Sequence, residues 1–262
     1  EAGKQFATAT ITAEGMVVLP KGASSSYSYL GKSSYEQSNF HSFAVLKSDG
    51  SVVCWGEGSY GGNAPAGLTG VSQIFSNGSA FAALKSDGSV VSWGGGDAAK
   101  APAGLTGVSQ IFSSGGAFAA LKSDGTVVSW SNVGRRNAGS ISNLITTPVG
   151  LTGVSQIFSH GYAFAALKSD GSVVSWGTYW DGLKYDEYPT SSTVPVLFNA
   201  APAGLKGVSQ IFSTDRAFAA LKSDSSVISW GDKDRGGVAP SGLTGVSQIF
   251  SNLYAFAALK SD

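Results

Sequence analysis

Residues 80–94 read AFAALKSDGSVVSWG, and close copies place the same phenylalanine at Phe43, Phe81, Phe118, Phe164, Phe218 and Phe256. The intervals are 38, 37, 46, 54 and 38 residues, so the basic unit is about 37 residues long. A unit that recurs this closely is a supersecondary module built to stack on its own copies. Within it, Asp87-Gly88 separates two apolar runs, AFAALK and VVSWG. An Asp-Gly pair so placed is a strong hairpin signal, because glycine adopts positive φ without steric cost. GVSQIFS, residues 70–76, adds a β-branched and aromatic run in front. Each unit is therefore expected to be a three-stranded meander with a two-residue turn. The Gly/Ala/Pro segment that follows, GGGDAAKAPAGLTG at 94–107, is a candidate fourth edge strand.

Neither face of these strands is polar: Phe81, Ala83 and Val91 stand against Ala82, Leu84 and Val90. A sheet of that kind must be covered on both sides. Radial stacking of blades does so and leaves only short edges, which points to an all-β fold, a β-propeller. An open solenoid would need polar capping repeats, and the terminal units are no more polar than the inner ones. Residues 8–19, TATITAEGMVVL, align without gaps on 43–54, and the last copy stops at Lys260-Ser261-Asp262. A front hairpin and a rear half-blade that share one blade give a closed ring of six, with seven as the alternative count. The chain is read as one propeller domain over 1–262, with insertions at 131–150 and 177–204.

The combination of VSQIF, LKSDGSVVSWG and the Gly-rich segments at 55–68 (WGEGSYGGNAPAGL) and 230–243 (WGDKDRGGVAPSGL) resembles the repeats of the regulator of chromosome condensation (RCC1-like) family. The likeness is greatest to its bacterial branch, which includes a secreted β-lactamase inhibitor. It runs from about Gly31 to the end of the chain. The family usually has seven blades, where six are counted here. What the resemblance implies is a rigid disc that holds another protein with the loops at one mouth, an analogy at the level of fold.

Seventeen basic residues balance seventeen acidic ones, so there is no basic face for a nucleic-acid backbone and no polybasic run for a membrane. No apolar run reaches membrane-spanning length. Cys54, the single cysteine, reads as a small buried hydrophobe and says nothing of the redox compartment. A chain that opens on Glu1 without a leader pattern fits a processed, secreted or surface protein better than a cytoplasmic one. His41 and His160, the two histidines, fall in units three apart, so no metal site is expected and both read as surface polar residues. No nucleophile elbow or phosphate-binding loop occurs, and no cofactor or catalysis is expected. Asp49, Asp87, Asp124, Asp170 and Asp224 read as turn formers of separate blades. Trp55, Trp93, Trp130, Trp176 and Trp230 recur at one framework position, which suits packing between blades better than a platform for sugars.

Near-identical copies make their differences stand out. The three residues after the first strand form variable tips, which would ring one mouth and present Phe40, His41, His160, Tyr162, Asp215, Arg216, Leu253 and Tyr254. Aromatic and arginine side chains on a rigid frame are what protein recognition uses, although drift at tolerant loops explains the variation equally well. The insertion at 177–204 crowds Tyr179, Trp180, Tyr185 and Tyr188 with three acids and is the strongest interaction candidate. The expected function is a rigid binding or scaffold module for another protein. A carbohydrate-binding propeller is the alternative, with glycan as ligand.

Overall fold

The computed structural model describes residues 10–11, 17–18, 39, 41–131, 145–161, 163–177 and 200–261. The chain divides into two compact units, 1–32 and 33–262. The first contains the short hairpin β1 (Thr10–Ile11) and β2 (Val17–Val18).

Among the described residues of the second unit, the copies of the repeat form six small antiparallel sheets. Sheet A pairs β3 (Ser42–Leu46) with β4 (Val52–Gly56). Sheet B is β5 (Val71–Ser76), β6 (Ala80–Lys85) and β7 (Val90–Gly94). Sheet C is β8 (Val108–Ser114), β9 (Ala117–Lys122) and β10 (Val127–Ser131). Sheet D is β11 (Val154–His160), β12 (Ala163–Lys168) and β13 (Val173–Gly177). Sheet E is β14 (Val208–Ser213), β15 (Ala217–Lys222) and β16 (Val227–Gly231). Sheet F pairs β17 (Val246–Ser251) with β18 (Phe256–Lys260). The three-stranded meander expected of each unit is thus present in B to E. Among the described residues the candidate fourth strand is absent, and short 3-10 turns occupy 58–60, 97–99 and 233–235 instead.

The recurring VSQ has a reason. The register of each first strand shifts between its valine and its glutamine, at Val71/Gln73, Val108/Gln110, Val154/Gln156, Val208/Gln210 and Val246/Gln248. The serine left over in this bulge donates its hydroxyl to the leucine carbonyl across the ladder, as Ser72 does to Leu84 at 3.0 Å.

Each sheet turns its Ala/Leu face to the Phe/Trp face of the next. Ala80, Ala82 and Leu84 of sheet B pack on Val108, Ile111, Phe118, Ala120 and Trp130 of sheet C, and the same contact recurs between C and D and between D and E. Phe118, Phe164 and Phe218 are wholly buried by it. At the ends nothing covers the corresponding faces among the described residues: Phe43 is 62% exposed on sheet A, and Leu259 is 53% exposed on sheet F.

The turns do more than reverse the chain. Gly88 N–H donates to Lys85 and Lys85 N–H to Ser89, which makes a three-residue loop with Gly88 at φ 76° rather than the two-residue turn expected. A type I turn followed by one left-handed residue has this pattern, and only that last position needs glycine. The glycine carbonyl then accepts the first valine N–H of the next sheet at 3.0 Å, as in Val108 to Gly88 and Val154 to Gly125. Sheet E has Ser225 at this place, with φ 64°. A left-handed residue with a Cβ is strained by about 1 kcal/mol. Ser225→Gly is therefore expected to stabilise the chain by roughly 0.5–1 kcal/mol, seen as a later urea midpoint at unchanged slope.

The turn carboxylates are structural as well. Each of Asp49, Asp87, Asp124, Asp170 and Asp224 accepts the hydroxyl and the backbone N–H of the Ser or Thr two residues on. Those bonds, helped by the lysine two residues before, hold the carboxyls below their usual range, Asp224 furthest. A depressed pKa in the fold means that the stabilisation is complete above the ordinary carboxylate value and drains away as pH falls through the lower folded values. The melting temperature is therefore expected to hold from pH 7 to about 5 and to drop below about 4. A melting temperature that stays level down to pH 2 would contradict this assignment.

Candidate interaction surface

The tips precede the Ala/Leu-bearing strand of each sheet, β3, β6, β9, β12, β15 and β18, and their three residues have three different tasks. The first is a clamp. Asn77 Oδ1 accepts the N–H groups of Ser79 and Ala80 at 3.0 and 2.9 Å, Asn39 and Asn252 do the same in sheets A and F, and Thr214 Oγ1 accepts Ala217 N–H. Short polar side chains suit this position because they reach the backbone of a tight turn. The clamp also ties the tip to the following connection: Asn39 Nδ2 donates to the Tyr60 carbonyl and Thr214 Oγ1 to that of Arg235. Asn77, Ser114, His160 and Thr214 are all buried.

His160 belongs to this first position. Expected at the surface, it is 1% exposed, with its ring 4.5 Å from that of Phe218 in the next sheet. The register of β11, which runs on through His160, turns the imidazole inward, so it offers nothing to a partner.

The middle residues join neighbouring sheets. Gly115 N–H donates to the Gly161 carbonyl at 2.7 Å, Gly161 to Asp215 at 3.1 Å, and Asp215 to Leu253 at 3.0 Å. A glycine or any other residue can take part in such a backbone ladder, so the variation here has little chemical content. Leu253 is half-buried. Phe40, the corresponding residue of sheet A, lies outside the described residues.

Of the third residues, His41 and Tyr254 are exposed, while Ser79, Gly116 and Arg216 are half-buried. His41 is exposed and packs tilted against Tyr60, with ring centroids 4.1 Å apart. Arg216 pairs with Asp215, Nε to Oδ2 at 3.3 Å. Tyr254 is 53% exposed, and the Arg235 guanidinium sits 4.2 Å above its ring. Ser79 and Gly116 occupy the position in sheets B and C. Tyr162 and the aromatic residues Tyr179, Trp180, Tyr185 and Tyr188 lie outside the described residues.

Sequence reasoning treated all three tip positions alike and missed two neighbours that shape the surface. Tyr60 and Arg235 come from the connections after sheets A and E, and each holds a tip side chain from the side. The signal was there in the insert-free connections GEGSYGGN and GDKDRGGV, whose fifth residues are Tyr60 and Arg235. The tryptophans, by contrast, are framework: Trp93 donates its indole N–H to the Gly61 carbonyl and Trp130 to that of Ala98, both at 3.1 Å.

No protein-family model matches the chain, and no curated protein sequence matches it. Among solved structures, the CRINKLY WD40 ectodomain of the Arabidopsis thaliana receptor kinase ACR4 is similar at 15% identity and a TM-score of 0.46, with 85% of this chain on 73% of that one. Prp20p from Saccharomyces cerevisiae, a structure described with its binding to Gsp1p and histones, is similar at 17% identity and a TM-score of 0.46. That match covers 84% of this chain and 61% of Prp20p, so the chain spans about three fifths of Prp20p. Human WBSCR16 is similar at 20% identity and a TM-score of 0.44, over 85% of this chain and 70% of that one.

Proposed function

We propose that this chain is a non-catalytic binding module that holds another protein on the row of third tip residues, with His41, Arg216 and Tyr254 as contacts. Arg216 and Tyr254 carry the reading. They stand on adjacent sheets whose tips are tied by the Asp215 to Leu253 bond, so the two side chains are presented on a fixed frame. Arginine and tyrosine so held lose little freedom on binding and are over-represented where binding energy concentrates. The insertion at 177–204, with Tyr179, Trp180, Tyr185 and Tyr188, extends the same proposal.

We infer as well a ring of six blades, with the front hairpin and the tail sharing one. Its support is the chemistry of the two end faces. Phe43 and Trp55 of sheet A are of the kind that every inner sheet buries under an Ala/Leu face, and Leu259 of sheet F is of the covering kind. Once a partner has been captured from the native source, the double variant Arg216→Ala/Tyr254→Ala is expected to weaken its binding at least tenfold, about 1.4 kcal/mol, by surface plasmon resonance. Unchanged affinity would remove the tips from the interface.

A further inference from the structure

The turns that leave β3, β6, β9 and β12 each carry an Asp-Gly pair: Asp49-Gly50, Asp87-Gly88, Asp124-Gly125 and Asp170-Gly171. Glycine has no Cβ to shield its nitrogen or to restrict its approach, so this pair is prone to an internal condensation. The glycine nitrogen bonds to the aspartate Cγ, its proton and the carboxyl hydroxyl leave together as water, and a five-membered succinimide results. Water then opens the ring at one carbonyl to restore aspartate, or at the other to give isoaspartate, in which the main chain runs through Cβ. Nothing is oxidised or reduced, and water is the one reagent.

The fold both offers and restrains this step. All four aspartates are exposed, and solvent-exposed turns are among the elements that open locally at least cost. While the turn is closed, Gly88 N–H is engaged by the Lys85 carbonyl at 2.9 Å, and Asp87 Oδ1 accepts the N–H and the hydroxyl of Ser89. Ser51, Thr126 and Ser172 hold Asp49, Asp124 and Asp170 in the same way. Both reacting groups must let go before they meet. These bonds, the hydroxyl first among them, also keep each carboxyl ionised to lower pH than usual, and only the protonated acid loses its hydroxyl as water. By residue type Asn77-Gly78 is a more reactive pair than any of these. Its side chain is wholly buried, however, with Oδ1 committed to the N–H groups of Ser79 and Ala80. The fold thus reverses the order that residue type alone would set.

We propose that the four Asp-Gly turns are sites of spontaneous isoaspartyl formation in the folded chain, that the Ser or Thr two residues on guards each of them, and that conversion unties one sheet from the next. The last point follows from where the glycines sit. The carbonyls of Gly50, Gly88, Gly125 and Gly171 accept the N–H groups of Val71, Val108, Val154 and Val208, the first strand residues of the following sheets, each at 3.0 Å. An isoaspartyl link adds one carbon to the main chain just before the glycine and draws that carbonyl away from its valine. Sheet E supplies the internal reference: Asp224 makes the same bonds to Ser226, but the attacking nitrogen would be that of Ser225, which carries a Cβ. Asp181-Gly182, a further pair of this type, lies outside the described residues.

The intact chain is aged at neutral pH, and isoaspartate is located residue by residue by electron-transfer mass spectrometry. Expected are conversion at Asp49, Asp87, Asp124 and Asp170, much slower conversion at Asp224, and an unchanged Asn77; in urea, Asn77 becomes the fastest site. Ser89→Ala is expected to raise the rate at Asp87 about fivefold, the factor that one hydrogen bond is worth, with the other three turns unchanged and the effect lost in urea. Ser172→Ala does the same at Asp170, and Ser225→Gly brings Asp224 up to the rate of the four. Chain enriched in isoaspartate at residue 87 is expected to exchange the Val108 amide faster and to melt about 2–4 °C lower. The proposal is overturned if Asp224 converts as fast as the four, if Asn77 converts in the folded chain, or if Ser89→Ala and Ser172→Ala age like their parent. Unchanged Val108 exchange in the converted chain would overturn the untying of the sheets.

Discussion

Trp130→Ala is expected to cost about 3–5 kcal/mol, while the same change at Trp55 costs no more than about 1–2. The two residues occupy one position in two copies of the repeat, so the difference measures tertiary environment alone. Trp130 is 7% exposed, packs tilted against Phe118 with centroids 5.4 Å apart, and donates to the Ala98 carbonyl. Its removal leaves a cavity inside the contact between sheets B and C, and the surrounding Ala80, Ala98 and Leu105 have no long side chains with which to refill it. Trp55 is 38% exposed on the outer face of sheet A, where water replaces the lost ring. Because stacked repeats draw their stability from contacts with their neighbours, the loss at Trp130 is felt by both B and C. Thermal unfolding should show a midpoint lowered by roughly 10 °C for Trp130→Ala, against a few degrees for Trp55→Ala. Equal shifts would mean that the face of sheet A is as well covered as the inner faces.

Gly94→Ala is expected to be nearly as severe, about 3 kcal/mol or more, from the backbone alone. Gly94 ends β7 at φ 115°, outside even the small left-handed region that other residues visit. An added Cβ would also lie 2.8 Å from Ala80 Cα and from the Ser79 carbonyl oxygen, both of them backbone atoms that cannot step aside. Gly56, Gly177 and Gly231 repeat this conformation in sheets A, D and E. Sheet C has Ser131 there without positive φ, and it is the sheet followed by the insertion at 131–150. The sharp exit goes with glycine rather than with the length of the connection, since Gly177 keeps it ahead of the insertion at 177–204, and Ser131→Gly should be close to neutral. The comparison is made by urea unfolding of the two variants side by side. A Gly94→Ala chain as stable as its parent would show that the exit can relax without cost.

The tips show where reading from sequence runs out. Variation among near-identical copies marked the right loops, yet it gave Asn77, Gly78 and Ser79 equal standing. A three-residue turn must close its own hydrogen bonds, which commits the first residue to the backbone, and neighbouring sheets stack closely enough for the second to bond across. Neither demand leaves a trace in residue type beyond a preference for small polar side chains at the first position. His160 misled for that reason: a polar residue in a loop reads as exposed until the register of β11 and the ring of Phe218 are in place.

What the amino-acid sequence by itself determined is the unit: strand, turn and strand, with apolar residues on both faces and the glycines where the backbone turns. Those are local demands, set by φ, by side-chain alternation and by hydrogen bonds within a few residues, and each copy of the repeat states them in full. Only the tertiary structure decided which copies of one residue are buried and which are bare, as with Phe118 and Phe43, wholly buried and 62% exposed. Burial depends on having a neighbour, and identical repeats differ in nothing else.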